Sequence, residues 1–407
     1  MKLVERRIVK PNNEMYQEID HICFLSKNLY NSTLYYVRQH YFATGKYLGY
    51  IDVNKIFTNN KQIDYCALPR KVGRATQKLL DANYKSYFTL LDLKLHGLYN
   101  GGVNPPHYLD SVNGRQVTMY NKQALSFKES GYVKLSGTNI KIKTDIDVQF
   151  VRLVPKNGYY VIEMGYVIDE PKTSKNNGNY ASIDLGVNNL ATLTSNVFAP
   201  IIINGKPVKS INQYYNKQVA EAKSIAETVN HQKTTKRIKS LGRIRNCKIE
   251  DYMHKASRYI VNHLVSTNVN TLIIGYNEGW KQDTNKGKVN NQNFVTIPFY
   301  KFIQMLTYKC KLMGIKVIMQ EESYTSKCSF IDQDYIPTYG TDDDLCKPSG
   351  KRVMRGLYKS KNGYRINADV NGSYNIMRKY LTQQAVWDER LFSNCIEVSS
   401  APLVKSF

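Results

Sequence analysis

The spacing of apolar residues predicts helices and then strands in the first part of the chain. A helical spacing begins near Met15 and continues to about Tyr41, and a helix pair is predicted from Lys71 to Leu98. The polar stretch between them, Lys46 to Tyr65, is predicted to be a loop. Six short segments between Gln116 and Ile168 have the composition of strands and are separated by Gly and Asn turns. With a further strand at residues 3–10, they predict a small β-barrel with a helical insertion after its first strand.

After a linker of Pro, Asn and Gly at residues 171–178, apolar strands alternate with helices. The predicted strands are Tyr180–Leu185, Leu190–Thr194, Thr271–Gly275 and Ile315–Gln320. The predicted helices are a long region from Ile211 to Ser266, then Pro298–Met313 and Val370–Gln384. Such alternation is typical of an α/β sheet.

The net charge of the chain predicts the kind of partner that it binds. Its 407 residues include 57 Lys and Arg against 33 Asp and Glu, which gives a net charge of +24. An excess of this size predicts a polyanion as partner, most often nucleic acid, although a basic surface without a partner remains the alternative. The basic residues chosen as candidate nucleic-acid contacts are Lys78, Lys141, Lys143, Lys236, Arg237, Arg243, Lys351, Arg352 and Arg365.

The cysteines and the lengths of the apolar segments indicate in which cellular compartment the protein is found. The seven cysteines are scattered and never form a CxxC pair, which is typical of reduced thiols in a cytosolic protein. The first residues, Met1–Arg7, lack a signal-peptide core, and no apolar run has transmembrane length. We therefore expect a cytoplasmic protein without a membrane role, associated with the nucleoid through DNA.

Three acids have positions that suit a metal site. Asp184 lies inside a predicted strand, where a charge packs poorly, Glu278 follows the Thr271–Gly275 strand, and Asp369 begins a helix. Carboxylates suit Mg²⁺ or Mn²⁺, and the chain has no His after His263, which argues against His-based hydrolases. Two such ions can hydrolyse a phosphodiester, one activating water and the other stabilising the leaving oxygen.

Each acid has an alternative interpretation at this stage. Asp369 could be an N-cap, and Glu278 could be a solvated acid in a polar turn. Glu321 or Glu322 could be the second acid instead, because both follow a predicted strand. Glu278 is preferred because it follows the more apolar strand.

Four motifs of the second half, in order, resemble the RuvC-like nuclease domain of TnpB proteins, the transposon-encoded RNA-guided DNA endonucleases related to compact type V CRISPR effectors. The motifs are Ile183-Asp184-Leu-Gly-Val-Asn-Asn-Leu-Ala-Thr, Gly275-Tyr-Asn-Glu278-Gly-Trp-Lys-Gln, Glu322-Ser-Tyr-Thr-Ser-Lys and Asn367-Ala-Asp369-Val-Asn-Gly-Ser-Tyr-Asn-Ile. The resemblance implies that Asp184, Glu278 and Asp369 are the catalytic, Mg²⁺-binding acids, and that two ions act there.

The resemblance also implies a domain arrangement. It predicts a wedge-like β-barrel at 1–14 and 116–170, a helical recognition lobe at 15–115, an RNase H-like (RuvC) nuclease domain at 171–322 and 367–384, and a tail at 385–407. The family often has a zinc ribbon of two CxxC pairs before the last Asp. Here only Cys328 and Cys346 lie in that window, so we expect a zinc-free basic lid loop at 323–366.

The activity implied is RNA-guided cleavage of DNA at one RuvC-like site. The expected partners are a guide RNA and target double-stranded DNA with a short flanking motif. Two alternatives remain: a guided DNA-binding protein with weak or no cleavage, and an unguided RNase H-like nuclease or transposase.

Overall fold

The computed structural model describes residues 1–173, 175–277, 294–392 and 402–407, which divide into two units, Met1–Asp169 and Glu170–Phe407. In the first unit, one apolar core joins helices and strands. In the second, buried apolar residues form two clusters, on opposite faces of a central sheet.

The helices of the first unit are α1 (Tyr16–Thr44), α2 (Tyr50–Asn59), α3 (Ile63–Cys66) and α4 (Arg70–Leu95). The predicted loop from Lys46 to Tyr65 is therefore wrong, because it contains α2 and most of α3. Val53 and Phe57, four residues apart on α2, are buried in the core. The helical pattern was missed because so short a helix places only a few apolar residues inward.

The strands of the first unit are β1 (Lys2–Val9), β2 (Thr118–Asn121), β3 (Leu125–Ser126), β4 (Tyr132–Leu135), β5 (Lys141–Lys143), β6 (Val148–Lys156) and β7 (Tyr159–Val167). They follow the predicted segments, but they divide between two sheets, β1-β7-β6-β2 and β3-β4-β5. On β5, Ile142 is buried and Lys141 and Lys143 are exposed, as their alternation predicts.

The sheet of the second unit contains β8 (Tyr180–Leu185), β9 (Asn189–Ser195), β10 (Ile201–Asn204), β11 (Thr271–Gly275) and β12 (Lys316–Gln320), in the order β12-β11-β8-β9-β10. Strand β9 runs antiparallel to β8, whereas β11 is parallel to both β8 and β12. The parallel strands end at the same edge of the sheet, so side chains that follow β8, β11 and β12 are brought together.

Helices cover the sheet on both faces. They are α5 (Lys206–Asn230), α6 (Lys236–Ser266), α7 (Phe299–Leu312) and α8 (Ala368–Gln383). The long helical region predicted from Ile211 to Ser266 consists of two helices. His231 has a left-handed backbone (φ 50°), and the Thr235 side chain accepts a hydrogen bond from Ile238 N and caps α6.

Successive residues of β8 face opposite sides of the sheet. Ala181, Ile183 and Leu185 belong to the apolar cluster that contains residues of α6 and α7. Tyr180 belongs to the cluster of α8, and Ser182 hydrogen-bonds to α8. The period of two therefore places Asp184 on the α8 face.

Two parts of the C-terminal region differ from the sequence-based expectation. The predicted loop at 323–366 contains a small sheet of β13 (Lys351–Met354), β14 (Leu357–Lys359) and β15 (Arg365–Asn367). The predicted tail contains β16 (Leu403–Lys405), which pairs in parallel with β10. Both were missed because these strands are too short to produce a clear alternation. Among the described residues, no helix has the length and apolarity needed to cross a membrane.

Candidate active site

Asp184 lies one residue before the end of β8, with its carboxylate against the first turns of α8. A Cβ added to Gly372 would stand 2.9 Å from Oδ2 of Asp184. Only a residue without a side chain allows the helix to approach the carboxylate this closely. Asp184 is therefore held at the contact between the central strand and α8.

Buried hydroxyl groups fix α8 on the sheet next to Asp184. Ser182 Oγ is within hydrogen-bond distance of Thr194 Oγ1 (2.8 Å) and donates to the carbonyl of Ser373 (2.6 Å). Ser373 Oγ donates in turn to the carbonyl of Thr192 (2.9 Å). Since Ser182, Thr194 and Ser373 are inaccessible to solvent, losing one bond would leave a buried polar atom unsatisfied. The network sets where α8 begins relative to Asp184.

Asp369 is not the N-cap of α8, so the capping alternative is wrong. Asn367 caps the helix: its side-chain oxygen accepts from the backbone N–H groups of Asp369 (3.0 Å) and Val370 (3.2 Å). The Asp369 carboxylate instead accepts from Asn189 Nδ2 (2.6 Å) and lies 3.5 Å from Nη2 of Arg352. Asn367 is therefore the cap, and the Asp369 carboxylate lies near enough to Asp184 for the two charges to interact.

The two adjacent glutamates after β12 have different surroundings. Glu321 forms an ion pair with the buried Lys379 of α8 (2.5 Å). Burial opposes ionisation of Glu321, yet its pKa is lowered because Lys379 and the N–H of Ser323 stabilise the carboxylate. Glu321 is therefore engaged in a structural contact.

Glu322 reaches the end of β11. A Cβ built on Gly275 would stand 2.7 Å from Oε2 of Glu322. The register pairs Ile274 of β11 with Ile183 of β8, so Gly275 and Asp184 follow side by side. Glu322 is held there by its backbone, since its N–H donates to the Asn277 side chain (3.1 Å) and its carbonyl accepts from Thr325 Oγ1 (2.8 Å).

The electrostatics of Asp184 reflect this crowding. Its pKa is raised well above the usual range, first because burial disfavours the charged form, and then because Glu322 and Asp369 add negative charge. Arg352 acts in the opposite direction and lowers the pKa. A site with this much negative potential would be stabilised by a bound cation.

Oxygen donors from carboxylates fit Mg²⁺ or Mn²⁺ at this position. Within the described ranges, no three His, Cys, Asp or Glu side chains are yet close enough together to hold one ion. The acids are thus arranged around Asp184 without forming a closed ligand set. Glu278, the second acid predicted from the motifs, lies outside the described residues.

The predicted nucleic-acid contacts lie on several separate elements. Lys78 lines a groove of about 450 Å³ with Lys71 and Arg74 of α4 and with Asn121 and Gln123. Lys141 is paired with Glu129 (2.5 Å), and Arg352 lies at the acidic site. The remaining candidates lie on exposed or half-exposed surfaces of β5, α6, β13 and β15: Lys143, Lys236, Arg237, Arg243, Lys351 and Arg365.

The lid segment brings its two cysteines together. Burial, and then the neighbouring Cys346, raise the pKa of Cys328 to about 12. The Cys328 thiol donates to the carbonyl of Tyr335 (3.3 Å). The absence of a structural zinc stays a prediction.

Three residues of the site were not identified as functional from the sequence: Asn189, Gly275 and Gly372. Each lies inside a motif, next to or near a predicted acid. Their roles depend on distances between β9, β11, β12 and α8, which no local pattern contains. The Asn-Asn turn after Asp184 was the one available signal, because an Asn there can reach a neighbouring carboxylate.

Comparison with known families is consistent with this site. The family model described as "Probable transposase" (OrfB_IS605) matches residues 163–281, and the model "Cas12f1-like, TNB domain" matches residues 299–376. The first matched segment contains Asp184, and the second contains Glu322 and Asp369.

Two relatives and one solved structure extend the comparison. The chain is 24% identical over 420 residues to the "TnpB-like protein ORF457" of Acidianus two-tailed virus, covering 91% of this chain and 84% of the relative. It is 25% identical over 249 residues to the "CRISPR-associated endodeoxyribonuclease Cas12f2" of Micrarchaeota archaeon (strain CG1_02_47_40), covering 58% of this chain but only 43% of that relative. The "Cryo-EM structure of the Cas12f1-sgRNA-target DNA complex" has a TM-score of 0.52 at 13% identity, covering 89% of this chain and 83% of that one.

The structural likeness supports a RuvC-containing, TnpB-like fold. The family models and relatives that match are consistent with a family of RNA-guided nucleases. The matched segments and the TnpB-like relative support the resemblance to the TnpB family that the motifs carry.

Proposed function

We propose that this protein is an RNA-guided DNA endonuclease that hydrolyses phosphodiester bonds with divalent cations at one site on the α8 face of its central sheet. The observation that carries the proposal is the placement of three acids on one face of the sheet: Asp184 lies against Gly372 of α8, Glu322 reaches Gly275 on the neighbouring strand, and Asp369 lies in the first turn of α8. Negative charge on Glu322 and Asp369 disfavours ionisation of Asp184, and a bound cation would offset this repulsion, so the arrangement favours a metal-dependent reaction.

Asp184, Asp369 and Glu322 would hold the cations. When bound, two ions of Mg²⁺ or Mn²⁺ would activate the attacking water and stabilise the leaving 3′ oxygen. Asn189 orients the Asp369 carboxylate through its 2.6 Å hydrogen bond, and Gly275 and Gly372 leave room for the carboxylates of Glu322 and Asp184. Glu278 remains the second acid that the resemblance predicts.

The partners would be a guide RNA and a DNA target with a short flanking motif. The net charge of +24 and the groove of Lys71, Arg74 and Lys78 support a polyanionic partner, because each cation can neutralise one phosphate. The Cas12f1 structure to which the chain is similar is a complex with sgRNA and target DNA, which supports the same pair of partners. The wedge and recognition-lobe roles of the first unit belong to this proposal.

Purification of the full chain with its native flanking DNA, followed by sequencing of co-bound RNA, tests the guided part. A discrete RNA should co-purify, and a guide built on it should direct cleavage of plasmids that carry a matching target beside randomised bases. Without a discrete RNA, the guide proposal fails and the unguided nuclease is favoured.

The Asp184→Asn variant tests the site. It should bind guide and target as the wild type does, but should not cut. Asp388→Asn is the matched control, because Asp388 is a half-exposed acid of the same unit, paired with Arg390. Cleavage by Asp184→Asn would contradict the site, whereas binding without cleavage by the wild type would favour the guided DNA-binding alternative.

Two single variants, Glu322→Gln and Glu278→Gln, identify the second acid when their cleavage activities are compared. We expect Glu322→Gln to abolish cleavage because its carboxylate lies beside Asp184. If Glu278→Gln alone abolishes cleavage, Glu278 replaces Glu322 in the site.

A further inference from the structure

A basic hairpin lies over the acidic site. Its two strands are β13 and β14, and its turn is anchored to α8 because Ala368 N donates to the carbonyl of Gly356 (3.0 Å). Arg352 of β13 lies 3.5 Å from Oδ1 of Asp369. Arg355 in the turn donates to the side-chain oxygen of Asn188 (Nη2–O 2.9 Å) in the amide orientation that satisfies both groups. Two guanidinium groups thus reach the region of Asp184 and Asp369.

The contact between Arg352 and Asp369 is weak enough for Arg352 to leave Asp369 and bind another group. Its length of 3.5 Å exceeds that of a charge-assisted hydrogen bond, and the Arg352 side chain is 46% exposed. An exposed, loosely formed ion pair contributes little to stability. Arg352 can therefore leave Asp369 without disturbing the fold.

The guanidinium of Arg352 could also bind a phosphate of a nucleic-acid strand. Its planar fork can donate two hydrogen bonds to one phosphate, which a lysine cannot do. The hairpin residues around it, Lys351, Val353 and Met354, are exposed, so a strand can approach. A divalent cation bound to Asp369 would neutralise its carboxylate, so the electrostatic attraction that holds Arg352 beside it would be lost.

We propose that Arg352 alternates between Asp369 and a phosphate of the DNA strand to be cut: it neutralises Asp369 in the metal-free site and contacts the strand once a cation holds the carboxylates. The proposal rests on the function proposed above. It makes Arg352 a competitor of the metal and, in the loaded complex, a catalytic residue.

This dual role predicts effects of opposite sign. Removing the guanidinium should strengthen Mn²⁺ binding, because Asp369 loses its competing cation, and should weaken cleavage, because the phosphate loses its donor. A purely structural arginine would weaken both. An arginine without a role in the site would change neither.

The test uses the complex of the full chain with its RNA. Mn²⁺ binding is followed by electron paramagnetic resonance of the free ion, and single-turnover cleavage is measured at saturating Mn²⁺. For Arg352→Met we expect a Kd for Mn²⁺ lower by roughly threefold to tenfold, as for the loss of one partly screened charge. Cleavage should be slower by roughly 10- to 100-fold, as for the loss of a charge-assisted hydrogen-bond donor.

Two further variants separate the explanations. Arg352→Lys should restore Mn²⁺ competition but recover cleavage only in part, because an ammonium group lacks the fork. Arg390→Met removes the same charge far along the chain, from an exposed residue paired with Asp388, and should change neither measurement.

Unchanged or weaker Mn²⁺ binding by Arg352→Met, or unchanged cleavage, would overturn the inference. The failure of the proposed function looks different: Asp184→Asn would then bind Mn²⁺ as the wild type does. If Asp184→Asn loses Mn²⁺ binding and Arg352→Met behaves as the wild type, the metal site stands and only the role of Arg352 is wrong.

Discussion

The carboxylate of Glu322 lies so close to Gly275 that a Cβ on this glycine would stand 2.7 Å from Oε2. An acid that follows β12 thus occupies the space at the end of the neighbouring strand β11, beside Asp184 of β8. Strand β11 ends in a residue without a side chain, and β12 contributes the carboxylate at the same place. The site is therefore assembled across strands.

Gly275→Ala should disturb this assembly. The new Cβ would also lie 2.4 Å from Cδ1 of Ile376, so either that side chain or Glu322 must move. We expect a loss of about 1–3 kcal/mol in the free energy of unfolding, as for other overpacked positions. The melting temperature should also gain less from Mn²⁺ than it does in the wild type, because Glu322 is displaced.

Thermal unfolding with and without Mn²⁺ measures both effects. Gly102→Ala is the control, because a Cβ at Gly102 meets no atom within 4 Å. Equal stability and an equal response to Mn²⁺ in Gly275→Ala and the wild type would mean that Glu322 is not confined as described.

Lys309 should make stability depend on alkaline pH. It lies buried on α7, where Nζ donates to the carbonyl of His254 (2.8 Å) and to Ser257 Oγ (2.7 Å). Burial, with a contribution from Arg258, lowers its pKa to about 8. An unfolded lysine titrates near 10.4, so between about pH 8 and 10.4 the unfolded chain binds more protons and stability rises with pH.

The comparison of wild type with Lys309→Met isolates this contribution. From pH 7.5 to 10, the free energy of unfolding of the wild type should rise relative to that of the variant by about 1–3 kcal/mol. Urea unfolding at several pH values provides the measurement. Lys311→Met, which removes an exposed lysine from the same helix, should give no such trend. A constant difference between wild type and Lys309→Met would refute the shift.

The lid segment should fold without zinc. Between residues 323 and 366 the sequence has two cysteines, Cys328 and Cys346, and a four-thiolate zinc site needs twice as many. Elemental analysis of protein purified without added metal should therefore find no stoichiometric zinc, and EDTA should leave the melting temperature of this protein unchanged.

One zinc per chain, lost in the variant Cys346→Ser, would contradict this expectation. Cys66→Ser is a suitable control because Cys66 is exposed in the other unit.

The sequence by itself determined most of the elements. Strands β4 to β9, β11 and β12 follow from local alternation or short apolar runs, because a strand buries residues with a period of two. The same period placed Asp184 in a strand as an acid that needed a partner, and four ordered motifs carried the resemblance to the TnpB family. Short elements such as α2 and β16 escaped, because a few residues cannot establish a period.

Only the tertiary structure decided which groups meet Asp184. Local sequence patterns left Glu321 and Glu322 as equal alternatives to the preferred Glu278, and Asp369 as either cap or ligand. Glu321 is engaged in an ion pair with Lys379. The register of β11 with β8 brings Glu322 next to Asp184. Asn367 caps α8, so the Asp369 carboxylate is available to the site. These outcomes depend on contacts between residues far apart in the chain, whose distances arise from packing and are absent from any local pattern.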